Sequence, residues 1–292
     1  MDIVVTGGLG RLGRYVVREL AQHTVRVVDQ GAPADCCPAD LRDLDALREG
    51  LRDIEVVVHL GGIDRSVATD DSLTMQFNAM GTWSLFEASL QAGVRRVIYC
   101  SSSAVLGLDH SNPHMPPCYL PIDEQHPLRA SDAYGLSKLC GEQIAQVFSR
   151  RGLEVIIVRP CFIAFPDMID FMGGRPGPAG RVEAMPYLRA YVGPEDCARG
   201  FAAAAAADYG GCETFFLAAA DTFASEPTVT RLETLYGGQI RLNDFALYQR
   251  FPRASPIAHA AAYQRLGWTP TTSWMAGQLA AGVSRPEWEK TA

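Results

Sequence analysis

The first thirteen residues constrain this chain more than any other stretch. Ile3-Val4-Val5 is a β-branched run, and Thr6-Gly7-Gly8-Leu9-Gly10-Arg11-Leu12-Gly13 follows at once. A helical apolar pattern then begins at Leu12. Few folds turn a strand into a helix through three spaced glycines. Gly7 permits the tight turn, Gly10 lets backbone approach a ligand closely, and Gly13 lets the helix pack near the sheet. The helix start offers free N–H groups and a positive dipole end, which suits a pyrophosphate. Arg11 and Leu12 belong to the same cradle.

The first half of the chain repeats this alternation. Val25–Val28, Val56–Val58, Val97–Tyr99 and Val155–Val158 are near-continuous apolar runs, expected of strands buried on both faces. Helical patterns lie between them over Leu12–Gln22, Leu44–Leu51, Ser72–Ala92 and Ala133–Arg151. The rhythm predicts an α/β fold: a Rossmann-type doubly wound parallel sheet with a small C-terminal substrate-binding region. Residues 1-160 are expected to form the dinucleotide-binding core. Residues 161-292 are expected to complete that core and form a small substrate-binding lobe. There the rhythm breaks: Phe165–Gly180 is rich in Pro and Gly and reads as a loop. A helix over Pro194–Ala207, a strand over Thr214–Leu217 and a helix over Thr228–Tyr236 follow.

Asp29 ends the second strand about 20 residues beyond the glycine loop, where a carboxylate meets the adenosine ribose hydroxyls and repels a 2′-phosphate. Gln30, not Arg, follows it. The expected cofactor is therefore NAD, not NADP. Asp40-Leu41 either flanks the adenine or supplies an N-cap through Asp40. His59-Leu60-Gly61-Gly62 ends the third strand. Leu60, Gly61 and Gly62 stand at the carboxyl edge of the sheet, where ligands approach, while His59 reads as a core histidine.

Tyr134 and Lys138 form a Y-x-x-x-K pair about one helical turn apart, on one face. A free phenol titrates near ~10, too high for proton transfer at neutral pH. A nearby ammonium favours the phenolate, and Lys138 can also hold the nicotinamide ribose. Ser101-Ser102-Ser103 follows the fourth strand at the same sheet edge. A hydroxyl there can bond both the substrate oxygen and the tyrosine, or can cap a turn. Tyr134 and Lys138 thus count among both the catalytic and the cofactor-binding candidates.

A length of 292 residues, 48% hydrophobic, suffices for a large core. The net charge of -7 argues against nucleic acid and anionic membranes as partners. No apolar stretch is long enough to span a bilayer. The start of the chain lacks signal-peptide features, so a cytoplasmic protein is expected. The eight cysteines are scattered without a C-x-x-C pair, and the histidines suggest no metal site.

In order along the chain, Thr6–Gly13, Asp40-Leu41, His59–Gly62, Asn78-Ala79-Met80-Gly81-Thr82, Ser101–Gly107, Tyr134–Lys138 and Arg159-Pro160 resemble extended short-chain dehydrogenase/reductases of the NAD-dependent epimerase/dehydratase kind. The resemblance covers about the first 160 residues. Tyr191–Asp196 and a Leu266-Gly267-Trp268-Thr269-Pro270 tail extend it loosely. Counting back from Gly107, it implies Ser102 as the catalytic hydroxyl, with Ser103 its neighbour; both would touch substrate. Tyr134 would be the acid/base and Lys138 its partner. Pro160 and Cys161 would pass the nicotinamide face, and Asn78 would be a scaffold hydrogen-bonder. Leu106 stands where the family usually has Tyr. Ser103-Ala104 supplies no acid beside Ser102, which disfavours dehydration.

The short C-terminal part favours a dehydrogenase of a small sugar, sugar acid or polyol. A nucleotide-sugar epimerase with tightly held NAD is the alternative, and a non-catalytic NAD-binding regulator the third reading. The Leu-Gly-Gly and Leu-Gly-Trp-x-Pro segments resemble uronate dehydrogenases, which place Asn-His after their serines. One of Arg175, Arg181 and Arg189 could bind a carboxylate, though each singly reads as surface charge. Family members often pair the helices matching Ser72–Ala92 and Ala133–Arg151, which implies a homodimer.

Overall fold

The computed structural model describes residues 1–31, 37–64, 70–108, 115–169, 188–208 and 210–276. The β-branched runs form β1 (Asp2–Thr6), β2 (Thr24–Asp29), β4 (Val56–His59), β5 (Arg96–Cys100) and β6 (Glu154–Pro160). Two-residue β3 (Cys37–Pro38) and β9 (Cys212–Leu217) complete a seven-stranded sheet of order β3-β2-β1-β4-β5-β6-β9. The ladders from β3 to β6 are parallel. β1, β4 and β6 are buried along nearly their whole length, as apolar strands covered on both faces should be. β2 departs from that expectation: Val25 and Val27 are only half-buried. The reason is the shortness of β3, which pairs only with Val28 and Asp29 and leaves the start of β2 an edge.

The chain divides into two compact units. The first comprises Met1–Val105, Ala130–Arg159 and Ala198–Phe215. Helices α1 (Arg11–Glu19), α2 (Leu44–Gly50), α3 (Asp71–Met75), α4 (Gly81–Gln91) and α5 (Ala133–Arg150) belong to it. The single helix expected over Ser72–Ala92 is interrupted, because Gln76–Met80 winds as a π turn between α3 and α4. Such widened turns recur at functional sites. Val4, Leu47, Val57, Leu85, Phe86, Val97, Tyr99 and Phe148 share one core. Each large apolar side chain there stabilises the fold by roughly 1.5–3 kcal/mol. The expected alanine-rich helix is Pro194–Ala206. Arg96, 1% exposed, binds Glu154 and donates to the Ala204, Ala205 and Ala207 carbonyls at its end. A cation there meets the negative end of the helix dipole.

The second unit comprises Leu106–Arg129, Pro160–Cys197 and the chain from Phe216 onward. Leu120, Ile122, Phe216, Leu232 and Ile257 sit in its main core, and β7 (Phe162–Ile163) pairs with β8 (Tyr191–Val192) in parallel. The expected helix forms at Thr228–Tyr236, and two more form at Phe245–Arg250 and Ala260–Leu266. Buried Asp196 accepts from the backbone N–H and hydroxyl of both Thr271 and Thr272, and its carbonyl takes the Trp268 indole N–H. Arg189 is not plain surface charge: it is half-buried, with its guanidinium 5.3 Å from the Phe223 ring centre. Arg175 and Arg181 lie outside the described residues, as does most of the Phe165–Gly180 loop. Among the described residues, no helix is long and apolar enough to cross a membrane, and no cluster of His, Cys, Asp or Glu could hold a metal.

Candidate active site

The ends of β1, β2 and β4 converge on the glycine loop. Gly7 adopts φ +68°, its N–H donates to the Val28 carbonyl at 3.0 Å, and its carbonyl accepts from Gly10 N–H at 3.0 Å. A Cβ at Gly7 would fall 2.8 Å from Gly61 N, and one at Gly13 would strike the Gly7 carbonyl oxygen. Only hydrogen lets these backbones approach so closely. Gly10, the N-cap of α1, offers no side-chain cap, so the helix start keeps N–H groups for a bound anion. Leu9 N–H donates to the Asp29 carboxylate at 3.2 Å, which fixes that acid at the rim of the loop. Bare backbone beside an uncapped helix start, with a carboxylate at the edge, fits a dinucleotide.

Asp40 does not cap α2; Asp43 does, accepting from Asp45 N–H and Ala46 N–H. Asp40 instead accepts from Arg42 backbone N–H, Nε and a terminal nitrogen at 2.6–2.9 Å, and from Gln30 at 2.8 Å. The Arg42 hydrogen bond is the main cause that brings its pKa to about 2. Leu41 is 8% exposed and packs against Gly61 and Gly81. His59 is 1% exposed, with Nδ1 2.7 Å from Thr6 Oγ1 and Nε2 3.1 Å from Thr82 Oγ1. The Thr82 hydroxyl donates to the Asn78 carbonyl, so it must accept from His59 Nε2–H. Burial first, and Lys138 second, bring the His59 pKa to about 3, which leaves a neutral scaffold imidazole.

Lys138 is 6% exposed, and its ammonium donates to the Cys100 carbonyl at 2.9 Å. It stands 5.8 Å from the Tyr134 ring centre and 5.6 Å from that of Tyr99. Burial lowers its pKa, opposed by Cys100 and Asp64. A Cβ at Gly62 would come within 3.8 Å of Lys138 Nζ, so the glycine pair after β4 and the α5 lysine meet. Tyr134 lies in the first turn of α5, which Asp132 caps by accepting from Gly135 N–H at 2.7 Å. A Cβ at Gly135 would lie 2.8 Å from the Ala104 carbonyl oxygen, so that turn packs against the serine segment. Ser102 Oγ accepts from Ala104 N–H at 3.1 Å. That is the capping role open to it, and the hydroxyl keeps its proton to donate. Ser103 opens the 3₁₀ turn Ser103–Leu106. Pro160 ends β6, and buried Cys161 donates its N–H to the Leu217 carbonyl in the second unit.

Asn78 was expected as a scaffold hydrogen-bonder, but the other supports escaped the sequence reading. Asn78, on the π turn, accepts from Ile63 N–H at 2.7 Å and donates to the Ile63 carbonyl and to Ser137 Oγ. Ser137 Oγ donates to the Tyr134 carbonyl. Thr6 Oγ1 accepts from Gly61 N–H. Ser101 and Glu142 also engage each other below the site. A Glu four residues beyond Lys138 on a half-buried helix was the available signal, because a buried acid needs a partner.

The sequence profile of the NAD dependent epimerase/dehydratase family matches residues 3–170. L-arabinose 1-dehydrogenase (NAD(P)(+)) of Haloferax volcanii is 31% identical over 208 residues, 68% of this chain and 80% of that protein. Uronate dehydrogenase of Pseudomonas syringae pv. tomato is 33% identical over 161 residues, 52% of this chain and 55% of that enzyme. The chain is thus aligned to about half of the latter. A short-chain dehydrogenase/reductase superfamily protein of Agrobacterium tumefaciens, solved with bound NAD, superposes with a TM-score of 0.68 at 25% identity, covering 94% of each chain. With the profile spanning more than half of its length, the chain belongs to the NAD-dependent epimerase/dehydratase family and takes NAD as its cofactor.

Proposed function

We propose that the protein is a dehydrogenase that oxidises a hydroxyl of a small sugar, sugar acid or related polyol, with Tyr134 as acid/base. The observation that carries this reading is the Lys138 ammonium, bonded to the Cys100 carbonyl beside the serines and 5.8 Å from the Tyr134 ring. Gly7, Gly10, Arg11, Leu12 and Gly13 would hold the pyrophosphate, and Asp29 the adenosine ribose. Asp40, Leu41, Leu60, Gly61 and Gly62 would line the adenine and ribose side. Pro160 and Cys161 would meet the nicotinamide. When bound, NAD supplies the hydride acceptor.

The chain's own work is then proton handling and positioning. Lys138 favours the Tyr134 phenolate, which takes the proton of the substrate hydroxyl as its carbon loses hydride and becomes a carbonyl. Ser102 donates a hydrogen bond to the reacting oxygen, with Ser103 beside it. The similarity to arabinose and uronate dehydrogenases supports a small sugar substrate. The test is NADH formation from NAD with a panel of free sugars, sugar acids and polyols. A silent panel overturns the proposal. Conversion of a UDP-sugar without net NADH selects an epimerase instead. A biological activity that survives Tyr134→Phe selects a regulator.

We assign the protein to the cytoplasm, a reducing compartment that suits eight cysteines scattered without a C-x-x-C pair. We also propose a homodimer built on α3 to α5. Met80, Trp83 and Leu136 leave 60%, 40% and 46% of their surface exposed there, more apolar surface than a solvated helix face needs. A monomeric mass by sedimentation would overturn it.

A further inference from the structure

One buried carboxylate holds together three elements of the first unit. Glu142, 2% exposed, lies on α5 one turn beyond Lys138. Its two oxygens accept from Arg159 Nε and a terminal nitrogen, both at 2.8 Å. Arg159, 4% exposed, stands near the end of β6. Glu142 Oε1 also accepts from Ser101 Oγ at 2.6 Å. Ser101, 2% exposed, lies between Cys100, whose carbonyl takes the Lys138 ammonium, and Ser102. The last residue of β5 and the residue that follows it, Cys100 and Ser101, are therefore bound to two successive turns of α5. A guanidinium fork gripping a carboxylate fixes direction as well as distance. Any rotation of α5 that carried Lys138 away from Cys100 would have to break the Ser101–Glu142 bond as well.

We propose that Glu142, clamped by Arg159, is a positioning residue: through Ser101 it sets where the Lys138 ammonium and the Ser102 hydroxyl stand relative to Tyr134. The proposal rests on the acid/base reading of Tyr134 and Lys138. Ser101→Ala tests it cleanly, since it removes one donor and changes no charge.

The readout is the titration of Tyr134, followed by phenolate ultraviolet absorbance. The protein has ten tyrosines, so the Tyr134 signal is taken as each protein minus its Tyr134→Phe counterpart. Lys138→Met is expected to raise the midpoint by about two pH units, and Ser101→Ala by about one. The Ser101→Ala protein is expected to keep its melting temperature within a few degrees and its NAD Kd within about twofold. A midpoint unmoved by Ser101→Ala but raised by Lys138→Met overturns the positioning role alone. A midpoint unmoved by Lys138→Met overturns the acid/base reading and takes this proposal with it. If Ser101→Ala lowers the melting temperature and NAD affinity without moving the midpoint, the bond is structural only and the proposal fails.

Discussion

The two units bury their acids differently. In the first, Glu142 faces a guanidinium and one hydroxyl. In the second, Asp221 is held by donors without charge: the Tyr191 and Ser273 hydroxyls and the Met275 N–H. Tyr191 in turn accepts from Trp274 N–H. In a buried ion pair the mutual attraction offsets the two desolvation costs, and the pair joins rigid elements with a defined direction. Neutral donors distribute one charge over several small dipoles and can come from a coiled segment. Accordingly, Glu142 connects a helix to strand ends beside the proposed acid/base pair, whereas Asp221 fastens the segment 273–275. The proposed acid/base pair thus lies beside a buried ion pair, while neutral donors fasten the chain in the second unit.

The largest expected effect sharpens this contrast. Tyr134→Phe should lower kcat by about 10²–10⁴-fold, as steady-state rates would show. A comparable loss from Tyr191→Phe would erase the distinction between the units. Next, Glu142→Gln should cost about 3–5 kcal/mol in urea unfolding, because it leaves the Arg159 charge buried without its partner. Asp221→Asn should cost less, about 1–3 kcal/mol, since its donors are neutral; equal costs would break the comparison.

Acid titration probes a third buried group of the first unit, His59. His59 is held at about 3 in the fold but near ~6.5 in the unfolded chain. The unfolded state therefore takes up the proton first. The contribution of neutral His59 is complete above about 6.5 and is lost as pH falls from there toward about 3. His59→Gln should flatten that part of the stability profile, and an unchanged slope would contradict the burial argument. Smallest is Asp29→Asn, expected to improve NADP use relative to NAD by about tenfold, or ~1.4 kcal/mol, measured as the ratio of kcat/KM values.

The same contrast explains what was legible in the sequence. Turns in which a Cβ would fall within 3 Å of another stretch of backbone demand glycine, so Gly7 and Gly13 announced themselves. Apolar runs announced the strands, and spacing put Tyr134 and Lys138 on one face. The two-residue β3 carries no periodicity, so the half-open state of β2 was invisible. The late helices Phe245–Arg250 and Ala260–Leu266 are six and seven residues long, too short to display a helical period. A cap was one of two readings of Asp40, because Leu44 starts a helix nearby, yet Asp43 is the residue with the right reach. Bonds such as Ser101–Glu142 join side chains 41 positions apart, and no local pattern encodes them.

The π turn at Gln76–Met80 makes chain length itself a control. Deleting one residue there to restore a regular helix would swing α4 by about 100° relative to α3. The amide that clasps Ile63 and the outward Met80–Trp83 surface could then no longer both keep their directions. A single-residue indel, more than any side-chain exchange nearby, is the change by which this scaffold would trade one loop geometry for another.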